Sequence, residues 1–290
     1  MSSTFLHDAI EQRFGRRTDA THQQGKTHEI FPPNGVVRRI HGDFTPMMCG
    51  GISALLLQML HPLALAGVWD HSSFRKDMIG RLRRTSQFIA TTSFGTHEEA
   101  EQIIARVRRV HESVHGHAAD GRPYAASDPD LLVWVHVAEM SRFLAAHLRY
   151  RNPRLSLDEQ DRYFSETACI AEALGARNVP DSRAAIDHYL ERQRSELICD
   201  ARTREVVSIL LASPPQGLVM HSAGTLFMRA GIDLLPDWAA SMLELDMSRI
   251  QRYAVRAGIK SAMPLVSRAV RSGAYRRALD RLQARQAPRS

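Results

Sequence analysis

Two histidines four residues apart, with a glutamate beside the first, stand at His111-Glu112-Ser113-Val114-His115. On one helix that spacing puts both imidazoles on a common face. H-E-x-x-H is also the pattern in which zinc hydrolases bind Zn²⁺ through both histidines while the glutamate orients a metal-bound water. The chemistry needs a helix that carries both histidines, together with a third ligand. Apolar spacing at Ile103, Ile104, Val107, Val110 and Val114 predicts such a helix, opened by the capping signature Thr96-His97-Glu98-Glu99 and stopped at Gly116, with His115 in its last turn. Glu139 is available as the third ligand, although it reads equally well as an ordinary helical glutamate. The extended pattern fails, since Ala118 and Gly121 stand where Gly and His are needed. In a chain with 14 histidines, the short pattern also arises by chance.

The elements that must position these residues are helical almost throughout. Asp43 to Gly67 is a mostly apolar helical stretch, kinked or restarted at Pro62. Ser72 or Ser73 is expected to cap the next helix, which carries Arg81, Arg84, Thr85 and Phe88. Ala118 to Ala126 is expected to be a loop with an Asp120-Gly121 turn. Ser127-Asp128-Pro129 should open a helix bearing Trp134, His136 and Phe143. Further helices are expected at about 157–174, 182–211, 217–229 and 236–282, the last one broken. No alternating strands, short repeats or long linkers are evident, so the expectation is one all-α domain, a multi-helix bundle over 35–290 preceded by a polar arm over 1–34.

With 290 residues, 44% of them hydrophobic, the chain has ample material for a core. No uninterrupted apolar run reaches the ~18–20 residues of a membrane span. Met1 to Arg17 does not read as a secretory signal. Cys49, Cys169 and Cys199 are odd in number and widely spaced, which fits a reduced, cytoplasmic protein. The net charge of +7 rests on arginine, because lysine occurs only at Lys26, Lys76 and Lys260. Arginine excess suits phosphate or carboxylate partners, but a GC-rich genome gives the same bias. No nucleic-acid recognition motif accompanies it, so no nucleic-acid partner is expected. The basic stretch Arg268 to Arg289 reads as a solvated helix with a frayed end.

An ordered set of short motifs runs through the chain: Gly42-Asp43, Leu57-Gln58-Met59-Leu60-His61-Pro62, Gly67-Val68-Trp69-Asp70-His71-Ser72 and Arg81-Leu82-Arg83-Arg84-Thr85. Phe94-Gly95-Thr96, Val107-Arg108-Arg109-Val110-His111, Asp120-Gly121-Arg122-Pro123-Tyr124 and Asp128 to His136 complete it. In this order and spacing the chain resembles the oxygenase MpaB/rubber oxygenase catalytic domain family, best over 35–211. The resemblance implies an all-α fold with a globin-like core and a haem b pocket, and an oxidoreductase that uses O₂ on an apolar, isoprenoid or lipid-like substrate. It implies that His111, with Val114 three residues on, is the proximal iron ligand, and that Arg81, Arg84 and Thr85 form the distal cluster. A neutral imidazole on a rigid helix suits axial ligation. Arg81 and Thr85, four apart, share a face, where an arginine can meet a propionate or bound O₂. The expected cofactor-binding set is His111, Arg81 and His115.

The chain departs from the family pattern at three places. His115 stands where the family usually has arginine, and this substitution creates the zinc look-alike. Arg84 stands where rubber oxygenases carry lysine, and arginine stays protonated, so it offers iron no lone pair. No carboxylate lies between Gln58 and Trp69, where rubber oxygenases use a glutamate. Carbon–carbon cleavage and the substrate are therefore not carried over. Two other readings stay open: a haem or hydrophobic-ligand binder without turnover, and the zinc hydrolase. Elsewhere, His61, His136, Gln58, Met47, Met48 and Met59 read as core residues, His71 as a loop contact, and Arg106, Arg108 and Arg109 as a solvated face. A homodimer would suit exposed apolar helices.

Overall fold

The computed structural model describes residues 29–212 and 218–271. Among the described residues there are twelve α-helices and one short hairpin, the all-α fold expected. In chain order the first helices are α1 (Val36–His41), α2 (Phe44–Gln58), α3 (Pro62–His71), α4 (Met78–Phe94) and α5 (His97–Glu112). The hairpin β1 (His115–His117) and β2 (Pro123–Ala125) follows. Next come α6 (Pro129–Tyr150), α7 (Leu157–Leu174), α8 (Arg183–Gln193), α9 (Ala201–Leu211), α10 (Leu218–Asp233), α11 (Asp237–Met242) and α12 (Arg249–Arg271). Nearly all of the arm over 1–34 and of the basic C-terminal stretch lies outside the described residues.

Helix α6 is the axis of the core. It is as long and apolar as a membrane-crossing helix, but 72% of its most apolar stretch is buried inside the protein. Trp134, fully enclosed, donates its indole N–H to the Gln58 carbonyl oxygen at 3.3 Å. Helix α2 lies along α6 in the most extensive helix contact of the described fold. Gly50 makes it possible: a Cβ there would stand 2.9 Å from the Arg142 carbonyl oxygen. On its other side α2 meets α10, where a Cβ on Gly231 would stand 2.4 Å from Ile52 Cγ2.

Local signals account for most boundaries. Pro62 starts α3, and the residue before it, His61, is extended as pre-proline sterics require. The axes of α2 and α3 turn by 104° at this break. The Thr96–Glu99 capping box opens α5, with Glu99 N–H donating to Thr96 Oγ1 at 3.2 Å and Thr96 N–H to Glu99 Oε2 at 3.0 Å. Asp128 caps α6 ahead of Pro129.

Four expectations need correction. Helix α4 is capped by Asp77, which accepts from Gly80 N–H at 2.7 Å; Ser73 instead closes a turn through its carbonyl to Lys76 and Asp77. The stretch expected as one helix over 182–211 is two, because Ile198 N–H binds the Leu60 carbonyl at 2.8 Å and Asp200 caps α9 anew. Part of the expected 118–126 loop is strand, paired with β1 in register His115–Ala125. Helix α5 ends at Glu112, before Gly116. The span expected as broken over 236–282 is broken, between α11 and α12, and α12 runs on through Pro264.

The α2–α6 approach predicts opposite outcomes for two adjacent glycines. Gly50→Ala forces a Cβ against helix backbone and should destabilise by about 1–3 kcal/mol. Gly51→Ala meets only Phe143 Cε1 at 3.8 Å, an ordinary contact. Its gain in helix propensity of about 0.5–1 kcal/mol should leave it neutral or stabilised. Denaturant midpoints of the two variants test this, and equal effects would refute the close approach.

Candidate functional site

His111 sits on the last turn of α5, half-buried, with Nδ1 enclosed and without a hydrogen-bond partner among the described residues. Burial lowers the pKa of its imidazole, favouring the neutral ring. Just beyond it the helix closes. Ser113 Oγ donates to the Val110 carbonyl at 2.8 Å, Ser113 N–H to the same oxygen at 3.1 Å, and Val114 N–H to the His111 carbonyl at 3.1 Å. These tight i→i−3 bonds end the ladder. Ala126 N–H then binds the Val114 carbonyl at 2.8 Å and draws the chain into the hairpin.

This ending separates the two histidines of the H-E-x-x-H pattern. His115 is an exposed strand residue, and its carbonyl accepts from His71 Nε2 at 3.2 Å. Helical i, i+4 geometry, on which the zinc reading rests, is therefore not made. Glu112 is exposed, and Glu139 lies on α6 in a different environment. His71 also donates to Tyr124 Oη at 3.1 Å, and Tyr124 donates to Asp70 Oδ2 at 2.7 Å, so this trio ties the hairpin to α3. Gly116 is a strand position under the Tyr124 ring, where a Cβ would stand 2.8 Å from Tyr124 Oη.

On α4 the three expected residues part company. Arg81 turns inward, while Arg84 and Thr85 are exposed. Arg84 pairs with Asp77 at 3.5 Å. Arg81 Nη1 donates to Ser72 Oγ at 3.3 Å, and no carboxylate of the described residues lies within salt-bridge distance of it. Burial first, and the Arg84 charge second, push its pKa down to about 10. It borders a shallow recess with Leu55, Met59, Met78, Val206 and Leu210, whose room of about 10 Å³ holds no more than one water molecule. A larger occupant needs these side chains to move apart.

Behind Arg81 lies a group that the sequence did not single out for this site. Glu139, three residues after His136 on α6, has its carboxyl in the interior, where the Gln58 amide bonds to it and the Arg81 charge faces it. Burial dominates and raises its pKa from 4.5 to about 7, against the Gln58 bond and Arg81, both of which lower it. The signal in the sequence was an acidic residue inside the otherwise apolar run from Leu131 to Leu144. Gln58 also donates to the Val135 carbonyl at 3.4 Å.

A second polar group lies close by. His41 is buried between Ser93 Oγ at 2.7 Å from Nδ1 and Tyr163 Oη at 2.8 Å from Nε2. Burial lowers its pKa to about 3, with small contributions from His136 and His147. Tyr163, raised well above its ordinary value by burial, also faces the Glu139 charge.

The remaining residues largely match their structural readings. His61 caps α3 through Nδ1 and lies 5.5 Å from the Trp134 ring. His136 and Met59 are buried, and Met47 and Met48 pack against the core. Arg106 and Arg109 are exposed, whereas Arg108 donates to the Ala173 carbonyl at 3.0 Å.

The sequence profile of the family described as ER-bound oxygenase mpaB/B'/rubber oxygenase, catalytic domain, matches residues 38–266. No curated protein and no solved structure gives a significant match.

Glu139 gives the fold a measurable pH dependence. Its folded pKa of about 7 exceeds its ordinary 4.5, so the folded state holds the proton more tightly. That stability is complete below the unfolded value and is lost as pH rises through about 7. The displacement corresponds to about 3 kcal/mol. Glu139→Gln should remove this decline, as read by urea denaturation across the window; an unchanged pH profile would place the carboxyl in solvent.

Proposed function

Because the chain belongs to the MpaB/rubber oxygenase catalytic-domain family, an oxygenase family, we propose that it is a haem b-dependent oxygenase acting with O₂ on an apolar, isoprenoid or lipid-like substrate. The observation that carries this reading is the His111 imidazole, favoured neutral by burial on a helix end, with an enclosed ring nitrogen that no group among the described residues satisfies. An unsatisfied buried polar atom costs about 1–3 kcal/mol, which a metal bond would relieve. The donor set therefore fits the group: one neutral imidazole and a largely unpaired arginine, flanked by apolar surface.

When bound, haem would supply the activation of O₂. The chain supplies placement. His111 would hold the iron from α5, with Val107 half-buried one turn earlier and Val110, 53% exposed, leaving apolar surface for a cofactor face. Arg81 would present N–H donors to a propionate or to a polar end of the substrate. Thr85, exposed four residues on, offers a hydroxyl along the same helix. The apolar side chains of Leu55, Met59, Met78, Val206 and Leu210 beside Arg81 would have to part to admit hydrocarbon. Cys49, Cys169 and Cys199 form no disulfide with one another, in keeping with a cytoplasmic location.

The test is the absorption spectrum of protein expressed with haem supply. A Soret band should be present in the parent, lost in His111→Ala and kept in His115→Ala. Parent protein without the band, or a band that depends on His115 instead, would overturn the assignment.

A further inference from the structure

Helix α12 turns to solvent a face that the rest of the described fold leaves uncovered. Its inner side is fixed by Val255 and Ile259, both buried, and by Gly258, where a Cβ would stand 3.1 Å from Leu226 Cδ1 of α10. With about 3.6 residues per turn, the opposite side carries Ile250, Tyr253, Ala254, Ala257, Ser261 and Pro264, and all of them are exposed. Ile250 is 81% and Tyr253 76% exposed, more than any other large apolar side chain among the described residues. A contiguous apolar stripe left in water marks a contact surface.

The charge beside the stripe has one sign. The span Arg249–Arg271 holds six basic residues and no aspartate or glutamate. Arg252 and Arg256 are engaged by Asp233 and Asp237. Arg249 and Lys260 lie along one edge of the stripe on either side of Tyr253; both are exposed, and neither forms an ion pair among the described residues. The acidic groups just before the helix are occupied: Glu244 pairs with Arg204 at 3.4 Å, and Asp246 accepts from Ser241 Oγ at 2.7 Å. Beyond α12 the sequence over 272–290 adds five arginines against one acidic side chain, Asp280.

An apolar stripe edged by unpaired cations matches a helix lying in the boundary of an anionic lipid surface, with its apolar side chains among the acyl chains and its cations at the headgroups. Tyrosine suits that boundary, because its ring is apolar and its hydroxyl polar. A second copy meeting this face with its own would set α12 against α12, with no carboxylate on either side. A nucleic acid would satisfy the cations but leave Ile250 in water.

We propose that the Ile250–Tyr253–Ala257 face of α12 is a peripheral docking surface for an anionic lipid bilayer. The helix lies in the plane of the surface and does not cross it. Arg249 and Lys260 select the charge, and Ile250 and Tyr253 enter the acyl region. The proposal stands on exposure and charge, and it holds whether or not the chain binds haem.

The experiment is co-sedimentation of the full chain with vesicles of phosphatidylcholine alone and of phosphatidylcholine with about one third phosphatidylserine. The parent should sediment with the anionic vesicles and not with the neutral ones, and added salt should weaken the binding. Arg249→Gln/Lys260→Gln should weaken it by at least about tenfold, at about fivefold per cation. Ile250→Ser/Tyr253→Ser should weaken it by about tenfold through lost apolar burial. Leu157→Ser, which removes an exposed leucine from α7, should bind as the parent does. All of these changes fall on exposed side chains, so thermal midpoints should match the parent's. No sedimentation with anionic vesicles, equal sedimentation with neutral ones, or binding that neither pair of substitutions weakens would overturn the proposal. So would, in place of vesicle binding, duplex DNA bound through Arg249 and Lys260 and indifferent to Ile250→Ser/Tyr253→Ser, or a concentration-dependent dimer that those apolar changes dissolve.

Discussion

The contact on which the site depends is the close approach of α2 to α6 at Gly50. With no side chain there, the two helix backbones pack at a distance that a single methyl group would break. That approach brings the end of α2 alongside the middle of α6. Gln58 then reaches the Val135 carbonyl and the Glu139 carboxyl, and Trp134 returns a bond to the Gln58 carbonyl. Gly231 repeats the device on the other side of α2, so the helix is gripped from both sides. A helix held in this way cannot slide without breaking the bonds of Gln58 to α6.

The charges buried in the core are managed by pairing. At the α10–α12 end, Asp233 is fully buried and receives two bonds from Arg256, at 2.8 and 2.9 Å, with Arg149 and Arg252 within 4 Å. Such a network anchors helices and leaves little charge to respond to anything else. The Arg81–Glu139 region differs. Its arginine has a neutral hydrogen-bond partner, and its carboxyl is held by an amide. Incomplete pairing of this kind costs stability, and it is tolerated where a ligand or a proton completes the set.

Much of this organisation was legible in the sequence where it rests on local chemistry. Thr96-x-x-Glu99 and Asp128-Pro129 are capping signals that act within one turn, and they mark the starts of α5 and α6 as expected. The family resemblance was legible because it rests on the order of many short motifs. What could not be read locally depends on tertiary contacts. Helix α5 stops at Glu112 because Ser113 turns back on Val110 and the hairpin captures Val114, whereas Gly116 looked like the natural stop. Glu139 looked like any helical glutamate until α2 and α4 were seen to close over it. Arg81, Arg84 and Thr85 share a short stretch of α4, yet only packing tells which of them turns inward.

We propose that His111, separated from its apparent partner His115 by the end of α5, holds the metal of this protein. The most direct test is anomalous diffraction at the iron edge from crystals of protein grown with haem supply. The account predicts one iron peak, within bonding distance of a His111 ring nitrogen and remote from His115. A peak bonded to another residue, or a metal shared between His111 and His115, would contradict it.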